Sequence, residues 1–346
     1  MRKFSLVLAM LAIALVLSLT FVSCGGDDGN NNTPGGNTPG GQTPGGGDMT
    51  WTAVADSPLD LIRDIAYGNG RFVAVGTSLN NGVLSTKIAY STDGKTWTAV
   101  SSSQFGFITY CNDRFFAWGA TFSNGVISMN MAYSTDGISW TDLEGTPFGT
   151  DNFSAIAYGN SRFVAVGGGG DGKGIAYSSD GISWTRVTPD PGSFTAIAFG
   201  NNRFVVGGNW NSGGQIAYST DGASWTAVAD AGFNLADTIK LVAFADDRFL
   251  AVGQNGRVAY SADGASWILS AFFGRPTPAI AYGNNRWVIG GDNGNLAYST
   301  DNGESWTPEM DSTLFDTFRT SGINAIAFGN NRFVAVSMDG KIAYSN

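Results

Sequence analysis

Aspartate and arginine recur along this sequence at nearly constant spacing, and both could do chemistry. Paired carboxylates can serve as general acid and base in glycoside hydrolysis, and a ring of guanidinium groups can bind anions. The six aspartates lie four residues before a tryptophan, or five in the last copy: Asp93, Asp136, Asp180, Asp221, Asp263 and Asp301. The seven arginines each precede an aromatic residue: Arg71, Arg114, Arg162, Arg203, Arg248, Arg286 and Arg332. A residue repeated in every unit usually serves the unit, so we expect both sets to be structural.

Composition excludes several kinds of active site. The 346 residues include no histidine and two cysteines, so there is no Ser-His-Asp or Cys-His machinery, no His-ligated metal and no cysteine-based cluster. Glutamate occurs only at Glu144, Glu304 and Glu309. The net charge of -9 argues against nucleic acid as a partner. We therefore expect no catalytic residue, no metal and no cofactor.

The repeats themselves predict the fold. The arginine segments, such as 65–76, occur seven times, and a second segment, such as 88–98, occurs six times in full. Each unit of about 42 residues offers four short β-rich runs between Gly, Asn and Asp. The seventh unit is split: the chain ends on its Tyr344 segment, while Trp51 opens the folded region. This pattern predicts an all-β, seven-bladed β-propeller of four-stranded antiparallel blades over residues 49–346, with the N-terminal strand closing the last blade.

The aspartate turns carry a family resemblance. The run from Ser299 to Trp306 has the Ser-Xaa-Asp-Xaa-Gly-Xaa-Xaa-Trp pattern and resembles the Asp-box, or BNR, repeat of sialidases, sortilin-type receptors and many exported bacterial propellers. The resemblance implies turns in which the aspartate accepts backbone N–H groups and the tryptophan packs between blades. Sialidases also carry an Arg-Ile-Pro motif, and this sequence has none. A sialidase-like carbohydrate-active enzyme is therefore the alternative, not the expectation.

The first 48 residues predict where in the cell the protein is located. Residues 1–23 combine a basic start with an apolar run, as in an export leader, and the stretch ending at Cys24 resembles the bacterial lipobox. This implies lipidation at Cys24, although the apolar run could also remain as an uncleaved anchor. Residues 24–48 are a flexible tether rich in Gly, Pro, Asn and Thr. We expect a lipoprotein of the bacterial cell envelope, at the outer membrane or cell surface, that touches membrane through its lipid only.

Candidate ligand-binding residues lie on the connections of variable length. The connections from second to third strand have about ten residues in the first two blades, 77–86 and 120–129, and about three in the last three blades. A third long connection, 307–325, leads into blade seven. Variable loops on a rigid scaffold commonly carry function. The candidates on this face are Asn80, Asn81, Phe122, Asn124, Trp210, Phe315, Phe318 and Arg319. For each of the two phenylalanines in 307–325, apolar packing of the long connection onto its own blade is an equal alternative.

The function expected from these observations is binding. We expect a monomeric, non-enzymatic module that presents its variable face to a protein or glycan partner. An assembly factor for a membrane complex is a further alternative to the sialidase-like enzyme.

Overall fold

A computed structural model describes the folded region of the chain. It covers residues 49–345 apart from short gaps at 82, 103, 124–125, 150–152, 169–173, 188–191, 211–213, 234–236, 275, 277 and 310–315. The predicted leader and tether, with Cys24, lie outside the described residues. The described residues form seven four-stranded antiparallel sheets. The predicted all-β, seven-bladed propeller is confirmed.

Blades one to three follow one another along the chain, and each is a simple up-and-down meander. Blade one has strands β2 (Leu61–Gly68), β3 (Arg71–Asn80), β4 (Val83–Ser91) and β5 (Thr98–Ser102). Blade two has β6 (Phe107–Cys111), β7 (Arg114–Ser123), β8 (Val126–Ser134) and β9 (Thr141–Asp142). Blade three has β10 (Phe153–Gly159), β11 (Arg162–Gly167), β12 (Ile175–Ser178) and β13 (Thr185–Arg186).

Blades four to six repeat this order. Blade four has β14 (Gly192–Gly200), β15 (Arg203–Trp210), β16 (Gly214–Ser219) and β17 (Thr226–Ala227). Blade five has β18 (Ile239–Ala245), β19 (Arg248–Gly253), β20 (Arg257–Ser261) and β21 (Ile268–Phe272). Blade six has β22 (Ala279–Gly283), β23 (Arg286–Gly290), β24 (Leu296–Ser299) and β25 (Thr307–Glu309), with a 3-10 turn at Asp292–Gly294.

Blade seven joins the two ends of the described chain. Strands β26 (Ala325–Gly329), β27 (Arg332–Val336) and β28 (Ile342–Ser345) are completed by β1 (Trp51–Ala53), which pairs antiparallel with β28. Trp51 is buried in this blade. The predicted closure by the N-terminal strand is therefore confirmed, and the ring has no free first or last blade.

The sequence explains why neighbouring blades can pack closely against one another. The first strands of successive blades contact one another and surround the centre. At the end of most first strands a glycine takes the place where the next blade's aromatic ring lies: a Cβ at Gly329 would stand 2.2 Å from the Tyr67 ring, and one at Gly68 would stand 2.1 Å from the Tyr110 ring. The repeated Gly is thus required by close approach. Phenylalanines of the second strands, such as Phe72 and Phe204, are fully buried.

Two predicted loops are strands. Residues 77–86 and 120–129 were expected to be long connections, but β3 and β4 stay paired out to Asn80 and Val83, and β7 and β8 stay paired out to Ser123 and Val126. The extra residues therefore form two-stranded ribbons that continue blades one and two. We call these the β3–β4 ribbon (77–86) and the β7–β8 ribbon (120–129).

Candidate functional site

The propeller has two ends, and each is made from a different set of turns. The turn face holds the connections from first to second and from third to fourth strand of every blade. The loop face holds the connections from second to third strand, including both ribbons, and the connections between blades. The side-chain contacts on the two faces indicate which face holds the candidate site.

On the turn face, the six repeated aspartates are engaged by their own turns, which we call the Asp turns. In blade three, Asp180 Oδ1 accepts the backbone N–H groups of Ile182 and Ser183, both at 2.8 Å, and the Ser178 hydroxyl at 2.8 Å. Asp93, Asp136, Asp221 and Asp263 have the same three partners in their turns, while Asp301 accepts from Ser299 and Ser305. These carboxylates complete backbone turns, which is the geometry that the resemblance implied.

The hydrogen bonds within the Asp turns lower the pKa values of two of their carboxyl groups. Backbone hydrogen bonds from Ser183 and Ile182 lower the pKa of Asp180 to about 2. For Asp136, partial burial raises the pKa, but the hydrogen bonds from Ser139, Ile138 and Ser134 outweigh it and lower the pKa to about 2. A carboxylate stabilised in its charged form in this way is a poor general acid at neutral pH.

All seven arginines pack on a tyrosine, and five of them also link adjacent blades. Each guanidinium lies over the tyrosine of its own blade, with Arg162 4.6 Å from the ring centre of Tyr177, a favourable cation–π distance. The other pairs are Arg71–Tyr90, Arg114–Tyr133, Arg203–Tyr218, Arg248–Tyr260, Arg286–Tyr298 and Arg332–Tyr344. In blades one to five the same group donates to a backbone carbonyl in the Asp turn of the following blade, as Arg71 does to Asp136 O at 2.8 Å. These five arginines therefore connect each of blades one to five to the blade that follows it.

On the loop face, the ribbons carry half of the candidate residues. Asn80 is the last residue of β3 and pairs with Val83, while Asn81 is exposed at the turn with a φ of 51°. Phe122 lies in β7 and pairs with Ile127, whereas Asn124 falls outside the described residues. The ribbons thus bring Asn80 and Asn81 together at one tip and place Phe122 on the neighbouring blade.

Trp210 lies in a different part of the ring. It ends β15 in blade four, where its backbone pairs with Gly192 and Gly214. Blade four is separated from the ribbons of blades one and two by blade three, so the structure does not bring Trp210 to the ribbon tips.

The connection into blade seven corrects one candidate. Phe318 is fully buried in the core cluster with Trp51, Phe333 and Ile323, so its side chain packs and cannot meet a partner; the prediction of a ligand-facing Phe318 is wrong. Its neighbour Arg319 is exposed, next to a short helical segment at 316–318. Phe315 falls outside the described residues. The Phe318 side chain fills a space between blades six and seven, and the sequence does not reveal that this space exists.

Charged residues of the first strands were not singled out by sequence reasoning. Arg63 and Lys240 are half-buried on β2 and β18, each at the position where its strand bulges, and burial lowers the pKa of both. Asp64 is fully buried and accepts the N–H groups of Ile65 at 2.9 Å and Ile108 at 3.0 Å, joining blades one and two. Burial raises its pKa well above the usual range. The sequence signal that could have identified these three residues is a charged side chain within an otherwise apolar first strand.

Two other features are absent from the described part of the chain. Residues 49–345, gaps excepted, contain no group of three or more Asp, Glu or Cys residues arranged to hold a metal ion. No helix within the same residues has the length and apolar character needed to span a bilayer.

These features define the class of protein as a seven-bladed β-propeller with a uniform turn face and an uneven loop face. The family model of the DUF6242 beta propeller domain matches residues 189–332, which span blades four to six and enter blade seven. None of the curated proteins matches the chain in sequence.

Solved structures share the architecture at low sequence identity. YCF48 bound to a D1 peptide is 18% identical, with a TM-score of 0.61 over 85% of this chain and 96% of that one. YCF48 from Cyanidioschyzon merolae is 16% identical, with a TM-score of 0.60 over 86% and 98%. PorZ, a surface component of the type-IX secretion system of Porphyromonas gingivalis, is 15% identical, with a TM-score of 0.56 over 84% of this chain and 47% of that one. At these identities the likeness establishes the fold.

Proposed function

We propose that this protein is a non-enzymatic interaction module of the bacterial cell envelope, which holds a protein partner on its loop face. The observation that carries the proposal is the contrast between the ends of the propeller. The turn face repeats one set of contacts from blade to blade, whereas the loop face bears the ribbons on two adjacent blades.

The described part of the β3–β4 ribbon suits binding because it exposes apolar side chains. Val83 at the tip of the β3–β4 ribbon is 66% exposed, and Leu79 beside it is 52% exposed. Asp60 accepts the backbone N–H of Leu79 at 2.6 Å and so ties the ribbon to the connection before blade one. On the β7–β8 ribbon, Asn130 donates to Thr121 Oγ1 at 2.9 Å. Hydrogen bonds that tie the base of a ribbon to its own blade reduce the conformational entropy lost when a partner docks.

The structures of similar fold add support for a protein partner. One of them, YCF48, is described in complex with a D1 peptide, and another, PorZ, is a bacterial surface component of a secretion system. Propellers of this architecture can therefore hold peptides and can work at a cell surface. Of the two kinds of partner expected from the sequence, we favour protein over glycan on these grounds.

The address in this proposal rests on the sequence. Cys24 follows an apolar leader and precedes a tether of Gly, Pro, Asn and Thr, so lipidation there would leave the propeller attached to a membrane by about two dozen flexible residues. Replacing Cys24 by Ala should abolish fatty-acid labelling of the chain. Undiminished labelling of that variant would exclude this anchor.

A non-catalytic role is supported by the use of the carboxylates. Six repeated aspartates accept hydrogen bonds within their turns, and Asp64 has no exposed surface. A panel of fluorogenic glycosides, including sialosides, should therefore give no turnover with the purified chain. Turnover that is lost when a single carboxylate is replaced would favour the sialidase-like alternative.

Shortening the ribbons tests the binding face. Residues 78–85 can be replaced by Asn-Gly, a two-residue hairpin turn, so that Thr77 and Thr86, which already pair, close the strand. The same change can be made between Thr121 and Ser128, which also pair. We expect the melting transition to stay within about 3 °C, because blades five to seven are stable with short connections, and capture of envelope proteins to fall at least about tenfold. Full capture by the double-shortened variant would place the partner elsewhere.

A further inference from the structure

The outer strand of blade five departs from the repeat. In the six other blades the residue after the conserved-position tryptophan is threonine: Thr52, Thr98, Thr141, Thr185, Thr226 and Thr307. In blade five it is Ile268, and the strand continues as Leu-Ser-Ala-Phe. This strand, β21, has five residues, whereas five of the other six outer strands have two or three. The repeat supplies an internal reference, and β21 differs from it in length and polarity.

The apolar residues of β21 face solvent. Ile268 is 57% exposed and Phe272 is 64% exposed, while Leu269 is partly covered because its side chain lies over Gly232. One side of β21 pairs with β20, and within the described residues no strand pairs with its other side. Proteins usually protect such edges with charged residues or proline. Neither occurs in β21, so an unpaired, apolar backbone edge is open to a partner.

The exposed Phe272 is held in place from within the blade. The Arg257 guanidinium lies 5.3 Å from the centre of the Phe272 ring. Arg257 is itself fixed by an ion pair with the buried Asp237 at 2.9 Å. An aromatic side chain held ready in this way is typical of the residues that dominate binding energy at interfaces.

A pocket continues the surface of β21. It has a volume of about 230 Å³ and lies between blade six and the connection that leaves β21, where Phe273, Pro276, Leu296 and Pro308 contribute to an apolar lining. Phe273 directly follows β21, and Trp306 of blade six packs edge-on against it at 6.1 Å and donates to Ser270 of β21 at 3.3 Å. Pockets for small-molecule ligands commonly measure about 300–1,000 Å³. This one is better matched to a single apolar side chain.

We propose that β21 and this pocket bind an extended, apolar segment of a partner protein, which adds to blade five as a further strand and places one side chain in the pocket. Strand addition uses backbone hydrogen bonds for affinity and pockets for specificity. We expect such a segment to carry few acidic residues, because the net charge of -9 on the chain disfavours them. This site is separate from the ribbons of blades one and two and does not depend on them.

Other occupants fit the surface less well. Five residues of strand extend about 17 Å, and an edge of this length buries much less surface than the roughly 800 Å² per partner that stable dimers bury. The edge therefore suits a peptide segment and not a second copy of this chain. The chain's own tether is excluded by composition, since residues 25–48 contain no aliphatic or aromatic side chain apart from the proline rings.

A peptide library selected on the full chain in mild detergent tests the proposal. The probe is a phage-displayed library of random peptides of about twelve residues, and the recovered peptides are measured by fluorescence anisotropy. We expect apolar residues at alternate positions, a Kd at least about tenfold higher for Ile268→Lys and for Phe272→Lys, and slower hydrogen exchange of β21 backbone amides when peptide is bound. The matched control is Thr98→Lys, the same position in blade one, which should bind like wild type.

Three results would overturn the proposal. The first is a failure to recover any peptide whose affinity depends on Ile268 or Phe272. The second is an equal loss in Thr98→Lys. The third is a wild-type dimer in sedimentation that Ile268→Lys makes monomeric, which would assign the edge to a second copy. If a lysine variant does not fold, Ile268→Thr restores the residue of the six other blades; it should fold and still weaken binding severalfold, and unchanged binding by it would also contradict the proposal.

Discussion

The turn face and the loop face are built from the same seven repeats, but different contacts constrain them. On the turn face, Arg71 of blade one donates to the Asp turn of blade two, and Tyr110 of blade two donates to Asn69 of blade one at 2.7 Å. A change in one turn there must suit the neighbouring blade. On the loop face, the ribbons pair mainly with themselves, so their length can change without disturbing the ring. Charged residues that repeat therefore belong to the scaffold here, and we place the proposed binding function at departures from the repeat.

The largest effect is expected where the ring closes. Deleting residues 49–55 removes β1, with the buried Trp51, and leaves an open edge on β28. Loss of one buried tryptophan alone costs about 3–5 kcal/mol, so the melting temperature should fall by about 10 °C or more. Deleting residues 25–48 is the control and should leave it unchanged. Equal melting temperatures for the two deletions would contradict a closed ring.

The next effect separates two neighbouring residues on the connection into blade seven. Phe318→Ala empties a fully buried position and should destabilise the protein by about 3–5 kcal/mol. Arg319→Ala changes an exposed side chain and should stay within about 0.5 kcal/mol. Chemical denaturation measures both. If Phe318→Ala were neutral and Arg319→Ala destabilising, the assignment of this connection to the core would be wrong.

A smaller effect concerns pH and belongs to the turn face. The pKa values of Asp136 and Asp180 are lowered to about 2 in the folded state, below the unfolded value of about 3.9. Their contribution to stability is therefore present above pH 4 and is lost as the pH falls through 2. The double variant Asp136→Asn, Asp180→Asn should be less stable at pH 6 and should lose less between pH 4 and pH 2. A steeper loss in the variant would contradict the assigned hydrogen bonds.

Much of the fold could be predicted because the same pattern of strands and turns occurs in seven sequence repeats. The split blade followed from Trp51 at one end and Tyr344 at the other, and the role of the Asp turns followed from their local sequence. The ribbons could have been found as well, since Asn81-Gly82 and Asn124-Gly125 are the dipeptides that favour two-residue hairpins. The burial of Phe318 could not, because it depends on how the connection packs between blades six and seven and against Trp51, which is distant in sequence. The exposure of β21 required knowing which strand forms the outer edge.

Photo-crosslinking from one position on each face in living cells tests the central claim most directly. Val83 on the β3–β4 ribbon is 66% exposed and Ile182 in an Asp turn is 52% exposed, so a photoreactive phenylalanine analogue at either position disturbs little packing. The account predicts a crosslinked partner from position 83 and none from position 182. A partner crosslinked from position 182 and not from position 83 would show that the turn face is the functional end of the propeller.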